Sequence, residues 1–344
     1  MPTPNALALS THAARPAWKT ALANAVSDVN ELCALLELPA ETRVEIERAC
    51  ADFPLRVPRG FVDRMRKRDP NDPLLRQVMP SALELHTIDD YELDPLDESD
   101  AAALPGLLHK YKSRALITLT GSCAVHCRYC FRRHFDYADH RIDSTQWHAI
   151  VDYLTRNSDI NEVILSGGDP LNATDTSLAR AVERLESVEH ITRLRLHTRQ
   201  PVVLPERIDQ PLIDWLAATR FHTVIVIHAN HANELDDTVA RALGALRDAG
   251  ATLLNQSVLL AGVNDAADAL YDLSERLFAC GVLPYYLHLP DKVQGTAHFD
   301  VPELRARELA LRTAHQELCA QRQWPEMHAP PLRTPTWRTR GRPR

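Results

Sequence analysis

Three cysteines of the chain have a spacing that suits iron–sulfur chemistry. Cys123, Cys127 and Cys130 lie in the run TGSCAVHCRYCFRR, residues 120–133, and follow the pattern C-x3-C-x2-C. Three thiolates can ligate three corners of a cuboidal cluster, whereas a four-cysteine site would be full. An iron without a protein ligand can bind a substrate or a cofactor, as the open position of a catalytic zinc ion does. The spacing therefore predicts redox chemistry at an exposed iron.

A structural zinc site is the main alternative interpretation of this loop. Zinc normally takes four Cys or His ligands, and His126 or His134 could supply the fourth. Disulfides are less favoured, because the chain has seven cysteines, an odd number. Its 344 residues can also form a hydrophobic core large enough to be stable without disulfides. The other cysteines stand in apolar contexts that are typical of small buried residues: Cys33, Cys50, Cys280 and Cys319.

The composition is that of an ordinary globular protein, with 45% hydrophobic and 25% charged residues. A formal net charge of −7 gives no support for nucleic-acid binding. The sequence contains no uninterrupted apolar run of about 18 residues, so it predicts no membrane span. The N-terminal MPTPN lacks the basic start and apolar core of a secretion signal. We therefore expect a protein of the reduced cytoplasm that binds neither nucleic acid nor membrane.

From residue 114 onward, short β-rich runs alternate with amphipathic helical windows. This alternation predicts right-handed βαβ units and a parallel sheet, either a three-quarter barrel or an open doubly wound sheet. The predicted strands span residues 115–120, 162–166, 193–197, 222–228, 252–258 and 282–288. Polar motifs end or follow each of these runs, which places the expected chemistry at the carboxyl ends of the strands.

The chain divides into three predicted regions. Residues 1–108 show helical periodicity interrupted by prolines, and we expect a helical extension there. Residues 109–320 form the α/β core. Residues 321–344 are rich in arginine and proline without apolar periodicity, which is typical of a disordered basic tail.

Longer motifs give the chain a resemblance to a known family. They are FPLRVPRGF (53–61), CFRR (130–133), LSGGDPL (165–171), HTRQPVVLP (197–205), IHANHANE (227–234), LNQSVLLAGVND (254–265) and PYYLHLPDKVQGTAHF (284–299). With these motifs the chain resembles the radical S-adenosylmethionine (SAM) enzymes and, within that superfamily, the lysine 2,3-aminomutases. It is most similar to the bacterial subgroup that supplies β-lysine for the modification of translation elongation factor P.

The resemblance implies a partial (βα)6 TIM-like barrel of the radical SAM type with an N-terminal helical extension. It also implies a [4Fe–4S] cluster, SAM and pyridoxal 5′-phosphate (PLP) as cofactors, with L-lysine as the substrate. In the family, a 5′-deoxyadenosyl radical made from SAM removes a β-hydrogen from PLP-bound lysine, and the nitrogen then migrates from C2 to C3. Further implied partners are an electron donor such as a flavodoxin or ferredoxin and a functional link to elongation factor P; an oligomer is left open.

The motifs also assign roles to individual residues. By resemblance, the three cysteines bind the cluster, Arg132 holds the substrate carboxylate with two parallel donors, and Asp291 receives the ε-ammonium group. Other residues match positions around the cofactors: Ser166, Gly167, Gly168, Asp169, His228, Asn230 and Gln256 for SAM, and Lys110, Tyr111 and Arg114 for PLP. Glycine would be needed next to the amino group of SAM because a Cβ would block the approach.

The lysine content departs from the family pattern. Relatives carry a lysine near the C-terminus that holds PLP as a Schiff base. The lysines here are Lys19, Lys67, Lys110, Lys112 and Lys292, and Lys292 stands in a different motif. We therefore expect PLP to lack its covalent anchor and product release to be slow. A frameshift after about Leu318 would explain both this loss and the basic tail; a lineage-specific tail is the alternative.

Three functions fit the sequence. The first is a radical aminomutase that converts L-lysine to β-lysine, with activity impaired by the missing lysine. The second is a radical SAM enzyme that does not use PLP, for which the missing lysine is the supporting feature. The third is a non-catalytic zinc-binding module that acts in translation.

Overall fold

An eight-stranded sheet forms the centre of the protein. The computed structural model describes residues 16–38, 46–98, 101–135 and 142–321. Its strands are β1 (Ala102–Leu104), β2 (Leu107–Tyr111), β3 (Arg114–Thr120), β4 (Glu162–Gly167), β5 (Arg193–Thr198), β6 (His222–His228), β7 (Thr252–Val258) and β8 (Leu283–His288). Their order in the sheet follows the chain, with β1 and β8 at the two ends. The sheet is therefore an open barrel rather than a doubly wound sheet.

Strands β3 to β8 are parallel, and β1 and β2 extend them as an antiparallel hairpin. Along the chain, helices connect successive parallel strands. They are α6 (Ser144–Arg156), α7 (Asp175–Glu186), α8 (Gln200–Val203), α9 (Gln210–Ala218), α10 (Asp237–Asp248) and α11 (Ala267–Ala279), and α12 (Glu303–Gln321) follows β8. The six predicted strands and the predicted partial (βα)6 barrel are confirmed. The sequence did not predict the β1–β2 hairpin, which spans the expected boundary at residue 108.

The parallel strands present alternate residues to two environments. Leu165, Leu196 and Ile227 point toward the helices and belong to the main hydrophobic core. Because successive side chains of a strand point to opposite faces, Ser166, His197 and His228 lie on the inner face of the barrel. Polar groups at these last positions therefore reach the carboxyl end of the barrel interior.

The described residues between 16 and 98 form short helices that pack against this end of the barrel. The helices are α1 (Ala17–Ala23), α2 (Val29–Leu35), α3 (Ile46–Asp52), α4 (Arg59–Val62) and α5 (Pro73–Arg76). Trp18, Leu32 and Phe61 form their hydrophobic cluster, which also takes in Ala124 and Val203 from the core. The division into three regions stays a prediction, and residues 322–344 of the predicted tail lie outside the described residues. In the described part of the chain, we find no helix with the length and apolarity to cross a membrane.

Candidate active site

The cysteine loop begins directly after β3 and is anchored in the N-terminal helices. Ala124 and Val125 are buried in the hydrophobic cluster of those helices. The backbone N–H of Arg128 donates to the carbonyl of Gln77 at 2.9 Å. This anchoring fixes the loop at the carboxyl end of the barrel and leaves its three cysteines half-buried.

The histidines that could complete a zinc site have protein partners. Nδ1 of His126 lies 2.8 Å from the carbonyl oxygen of Pro54, and Nε2 of His134 lies 3.1 Å from that of Gln294. Among the described residues, no group of three or more His, Cys, Asp or Glu side chains is arranged around a single ion position. The two imidazoles that could complete a zinc site are thus in contact with backbone carbonyl oxygens.

Burial disfavours the charged form of two of the three thiols, those of Cys123 and Cys130. It raises the pKa of Cys130 to about 11 and the pKa of Cys123 well above its usual range, and the neighbouring thiols contribute to both shifts. Iron ions would supply the positive charge that thiolates need. The donor set therefore fits an iron–sulfur cluster.

The glycine pair after β4 packs directly against the start of the cysteine loop. A Cβ added to Gly168 would lie 2.7 Å from the carbonyl oxygen of Ser122, and one added to Gly167 would collide with the carbonyl oxygen of Thr120. Gly167 also has a φ of +116°, which residues with side chains rarely adopt. The contact between these two loops requires both glycines, and their contact with SAM stays a prediction.

The polar residues of the same motif bind other protein groups. The carboxylate of Asp169 accepts hydrogen bonds from Oγ1 of Thr198 and from the backbone N–H of Arg199, both at 2.7 Å. Oγ of Ser166 accepts one from Nη1 of Arg132 at 3.1 Å. Burial raises the pKa of Asp169 to about 6, and the hydrogen-bond donors oppose this shift. The motif thus joins the ends of β4 and β5 next to the cysteine loop.

Arg132 is buried and pairs with a carboxylate that the sequence did not single out. Its Nε and Nη2 donate to the two carboxylate oxygens of Glu98 at 2.8 and 2.6 Å. Asp291 is half-buried, in the segment after β8. That segment is tied to the cysteine loop, since Nη1 of Arg133 donates to the carbonyl of Gly295 at 2.9 Å. The two residues expected to bind substrate therefore lie on adjoining segments.

Of the three other residues predicted for SAM, two are neighbours on the inner face and one is buried. His228 and Gln256 are paired across β6 and β7, and Nε2 of His228 lies 3.0 Å from the hydroxyl of Tyr129. Asn230 is fully buried, and its Nδ2 donates to Tyr129 at 2.8 Å and to Gln77 at 3.0 Å. Asn230 thus belongs to the hydrogen-bond network that supports the site.

A cavity of about 160 Å³ is lined by all three residues predicted for PLP. The guanidinium of Arg114 stacks on Tyr111, 5.3 Å from the ring centroid, and its buried Nε has no hydrogen-bond partner among the described residues. Nζ of Lys110 donates to the carbonyl of Leu96 at 3.0 Å. A buried donor that lacks a partner, beside a second cation, suits a phosphate group. The cavity therefore fits the phosphate end of PLP.

A second buried nitrogen without a described partner belongs to His197. Its Nε2 lies on the inner face of β5. Burial lowers the pKa of His197 to about 3, and the positive charges of Arg195, Arg132 and Arg114 act in the same direction. The arginines around this imidazole, rather than the imidazole itself, would attract an anionic ligand. The sequence used this residue only as part of a motif.

Of the lysines that the structure describes, Lys110 alone lines this cavity. Lys67 pairs with Glu37 at 3.1 Å, and Nζ of Lys292 lies 5.9 Å from the ring centroid of Tyr91. Neither Lys67 nor Lys292 lines the cavity that fits the phosphate end of PLP.

Arg199 was also missed as a site residue. Its Nη1 lies 2.7 Å from Sγ of Cys127. The available signal was its position at the end of a predicted strand, where the other motifs also lie.

Comparisons with known proteins agree with this arrangement. The sequence profile of the Radical SAM superfamily matches residues 117–273. L-lysine 2,3-aminomutase from Escherichia coli (strain K12) is 48% identical over 296 residues, which cover 86% of each chain. The enzyme of that name from Haemophilus influenzae is 48% identical and covers 85% of this chain and 86% of its own. The one from Clostridium subterminale is 33% identical and covers 85% and 70%. The chain belongs to the L-lysine 2,3-aminomutase family of the radical SAM superfamily.

Proposed function

We propose that the protein converts L-lysine to β-lysine by moving the amino group from C2 to C3. The relatives named for this reaction support the proposal, and so does the position of Arg132 between the two halves of the site. Arg132 acts electrostatically on Cys123 of the cysteine loop, and its partner Glu98 lines the cavity that fits PLP. An amino acid held by Arg132 would therefore lie between the cluster and PLP.

Family membership implies a [4Fe–4S] cluster, SAM and PLP. When bound, these groups supply reductive formation of an organic radical and the imine chemistry that lets nitrogen migrate. Cys123, Cys127 and Cys130 would hold the cluster. The β4 motif and the inner-face residues His228 and Gln256 would line the SAM site, while Lys110, Tyr111 and Arg114 would hold PLP. The protein's own task is to orient these groups and exclude water.

Arg132 would bind the α-carboxylate of lysine, and Asp291 would receive its ε-ammonium group. The guanidinium is already paired side-on with Glu98. An incoming carboxylate must therefore share Arg132 with Glu98 or displace it. This competition limits how tightly the site holds substrate, because a buried guanidinium has a fixed number of donors.

The lysine count supports impaired PLP chemistry in this chain. Among the described lysines, Lys110 lines the cavity, and its Nζ donates a hydrogen bond to the carbonyl of Leu96. When held by Lys110, Tyr111 and Arg114, PLP would supply its imine chemistry to substrate lysine without a covalent link to the protein. Without an exchanging protein lysine, however, release of β-lysine would be slow. A radical SAM enzyme that does not use PLP is the second candidate, and the same lysine count favours it.

The physiological setting follows from the motifs shared with the elongation factor P subgroup. We propose that β-lysine from this enzyme serves the modification of that factor, and that a flavodoxin or ferredoxin reduces the cluster. Purification of elongation factor P from cells with and without the gene, followed by intact mass measurement, tests the link. An unchanged mass of the factor would contradict it.

Anaerobic reconstitution tests the proposed reaction. The protein with iron, sulfide, PLP, SAM, dithionite and L-lysine should form β-lysine slowly, measured by chromatography. Arg132→Met should raise the KM for lysine roughly 10- to 100-fold, since a hydrogen bond to a charged group is worth about 1.5–3 kcal/mol. Arg156→Met is the matched control, because Arg156 is exposed on α6. SAM cleavage without β-lysine would support the second candidate, and zinc without labile sulfide would support the binding module.

A further inference from the structure

Arg199 makes a direct contact with one of the predicted cluster ligands. Its Nη1 lies 2.7 Å from Sγ of Cys127 and 2.6 Å from the hydroxyl of Tyr129. Its Nη2 donates to Gln77 at 2.7 Å and to the carboxylate of Glu234 at 2.9 Å. One end of the guanidinium therefore faces the sulfur, and the other end faces the carboxylate.

This ion pair is shielded from water. Arg199 is 6% exposed and Glu234 is 0% exposed. Charges in such surroundings interact more strongly than at the surface, because the effective dielectric constant is lower. The pair forms an oriented dipole whose positive end lies at the sulfur of Cys127 and whose negative end lies behind it.

We propose that Arg199 sets the reduction potential of the cluster, with Glu234 as its counter-charge. This inference rests on the proposed cluster at the three cysteines. Hydrogen bonds and charge next to the cysteine sulfurs are known determinants of cluster potentials. Reduction adds one electron to the cluster, supplied by a low-potential donor such as a flavodoxin. Arg199 stabilises the reduced, more negative form and so raises the potential, whereas Glu234 opposes this effect.

Two variants should shift the potential in opposite directions. Arg199→Gln removes the positive charge and should lower the midpoint potential. Glu234→Gln removes the negative charge, keeps an oxygen acceptor and should raise it. The measurement is a mediated redox titration of the reconstituted holoprotein, followed by electron paramagnetic resonance of the reduced cluster. We expect at least a tenfold change in the ratio of reduced to oxidised cluster at fixed potential, which equals about 59 mV for one electron.

Arg207→Gln is the matched control for loss of a buried arginine. Arg207 is 0% exposed and pairs with Asp175 and Asp209 rather than with the cysteine loop, so its variant should leave the potential unchanged. Opposite shifts cannot come from a general loss of stability. If Arg199→Gln does not retain iron, Arg199→Lys and Glu234→Gln test the inference in its place. The midpoint potential of Arg199→Lys should stay near that of the wild type, and that of Glu234→Gln should be higher.

Intact clusters with unmoved potentials, or shifts of the same sign in Arg199→Gln and Glu234→Gln, would overturn the inference and leave the proposed function standing. A wild-type protein that binds zinc without labile sulfide would overturn the proposed function and the inference with it.

Discussion

Alanine at position 168 tests whether this glycine serves the protein or a ligand. A Cβ there would lie 2.7 Å from the carbonyl oxygen of Ser122 and 2.8 Å from the carbonyl carbon of Ser122 and from that of Gly121. Ordinary contact would require the backbone of the cysteine loop to retreat by roughly 0.7 Å. All three neighbours are backbone atoms, so no side chain can rotate away. We expect Gly168→Ala to destabilise the protein without cofactors by about 1–3 kcal/mol, the usual cost of overpacking.

Gly244→Ala is the matched control. Gly244 lies within α10, and its nearest neighbour to a new Cβ is a side-chain nitrogen of Arg247 at 4.0 Å. This variant should stabilise the protein by about 0.5–1 kcal/mol, the helix preference of alanine over glycine. Urea denaturation monitored by circular dichroism gives both values. If Gly168→Ala matches the wild type in stability and only weakens SAM binding, the glycine serves the ligand and our packing argument is refuted.

Three further predictions concern the inner face of the barrel. Arg114→Met should weaken PLP binding roughly 10- to 100-fold, measured by absorbance titration, because the phosphate would lose a charge-assisted hydrogen bond; unchanged affinity would remove Arg114 from the PLP site. Glu162→Gln should cost about 3–5 kcal/mol of stability, because it leaves the buried Arg195 without the carboxylate 2.6 Å away; Asp248→Asn, which breaks an exposed pair, should cost under about 1 kcal/mol. The pKa of His197 is lowered to about 3, so this group stabilises the fold above pH 6.5 and loses that contribution as the pH falls toward 3. Between pH 7 and pH 5, the free energy of unfolding should therefore fall by about 2 kcal/mol less in His197→Gln than in the wild type, measured by urea denaturation at each pH. An equal fall in both proteins would contradict the low pKa of His197.

The sequence predicts the barrel well because each parallel strand is a short β-rich run that turn residues and a helical window separate from the next. Runs such as 222–228 and 252–258 coincide with β6 and β7 as observed. β-rich runs between turn residues are a local signal that needs no knowledge of the partner strand. The β1–β2 hairpin escapes prediction because its strands are short and its 102–104 segment has only three residues in the sheet.

The site is predicted less completely, since its ion pairs join distant parts of the chain. The motifs at the strand ends mark the correct edge of the barrel. The partner of Arg132, however, is Glu98, and the hydrogen bonds of Arg199 reach Gln77 and Glu234. A single sequence gives no signal for such pairs, because nothing local distinguishes a buried acidic residue from an exposed one. The orphaned Nε of Arg114 likewise becomes visible only when burial is known.

The N-terminal region supplies hydrogen bonds that support the candidate active site. Gln77, which follows α5, accepts hydrogen bonds from Arg199 and Asn230 and from the hydroxyl of Tyr129 at 3.3 Å. Its own carbonyl accepts the backbone N–H of Arg128 inside the cysteine loop. One amide side chain therefore ties the extension, the loop and two strand ends together. Removal of the extension would take away the carbonyl that accepts from the backbone N–H of Arg128 and one hydrogen-bond partner each from Arg199, Asn230 and Tyr129, at about 0.5–1.5 kcal/mol for each hydrogen bond. The barrel alone should therefore be unable to hold the cysteine loop in a cluster-binding conformation.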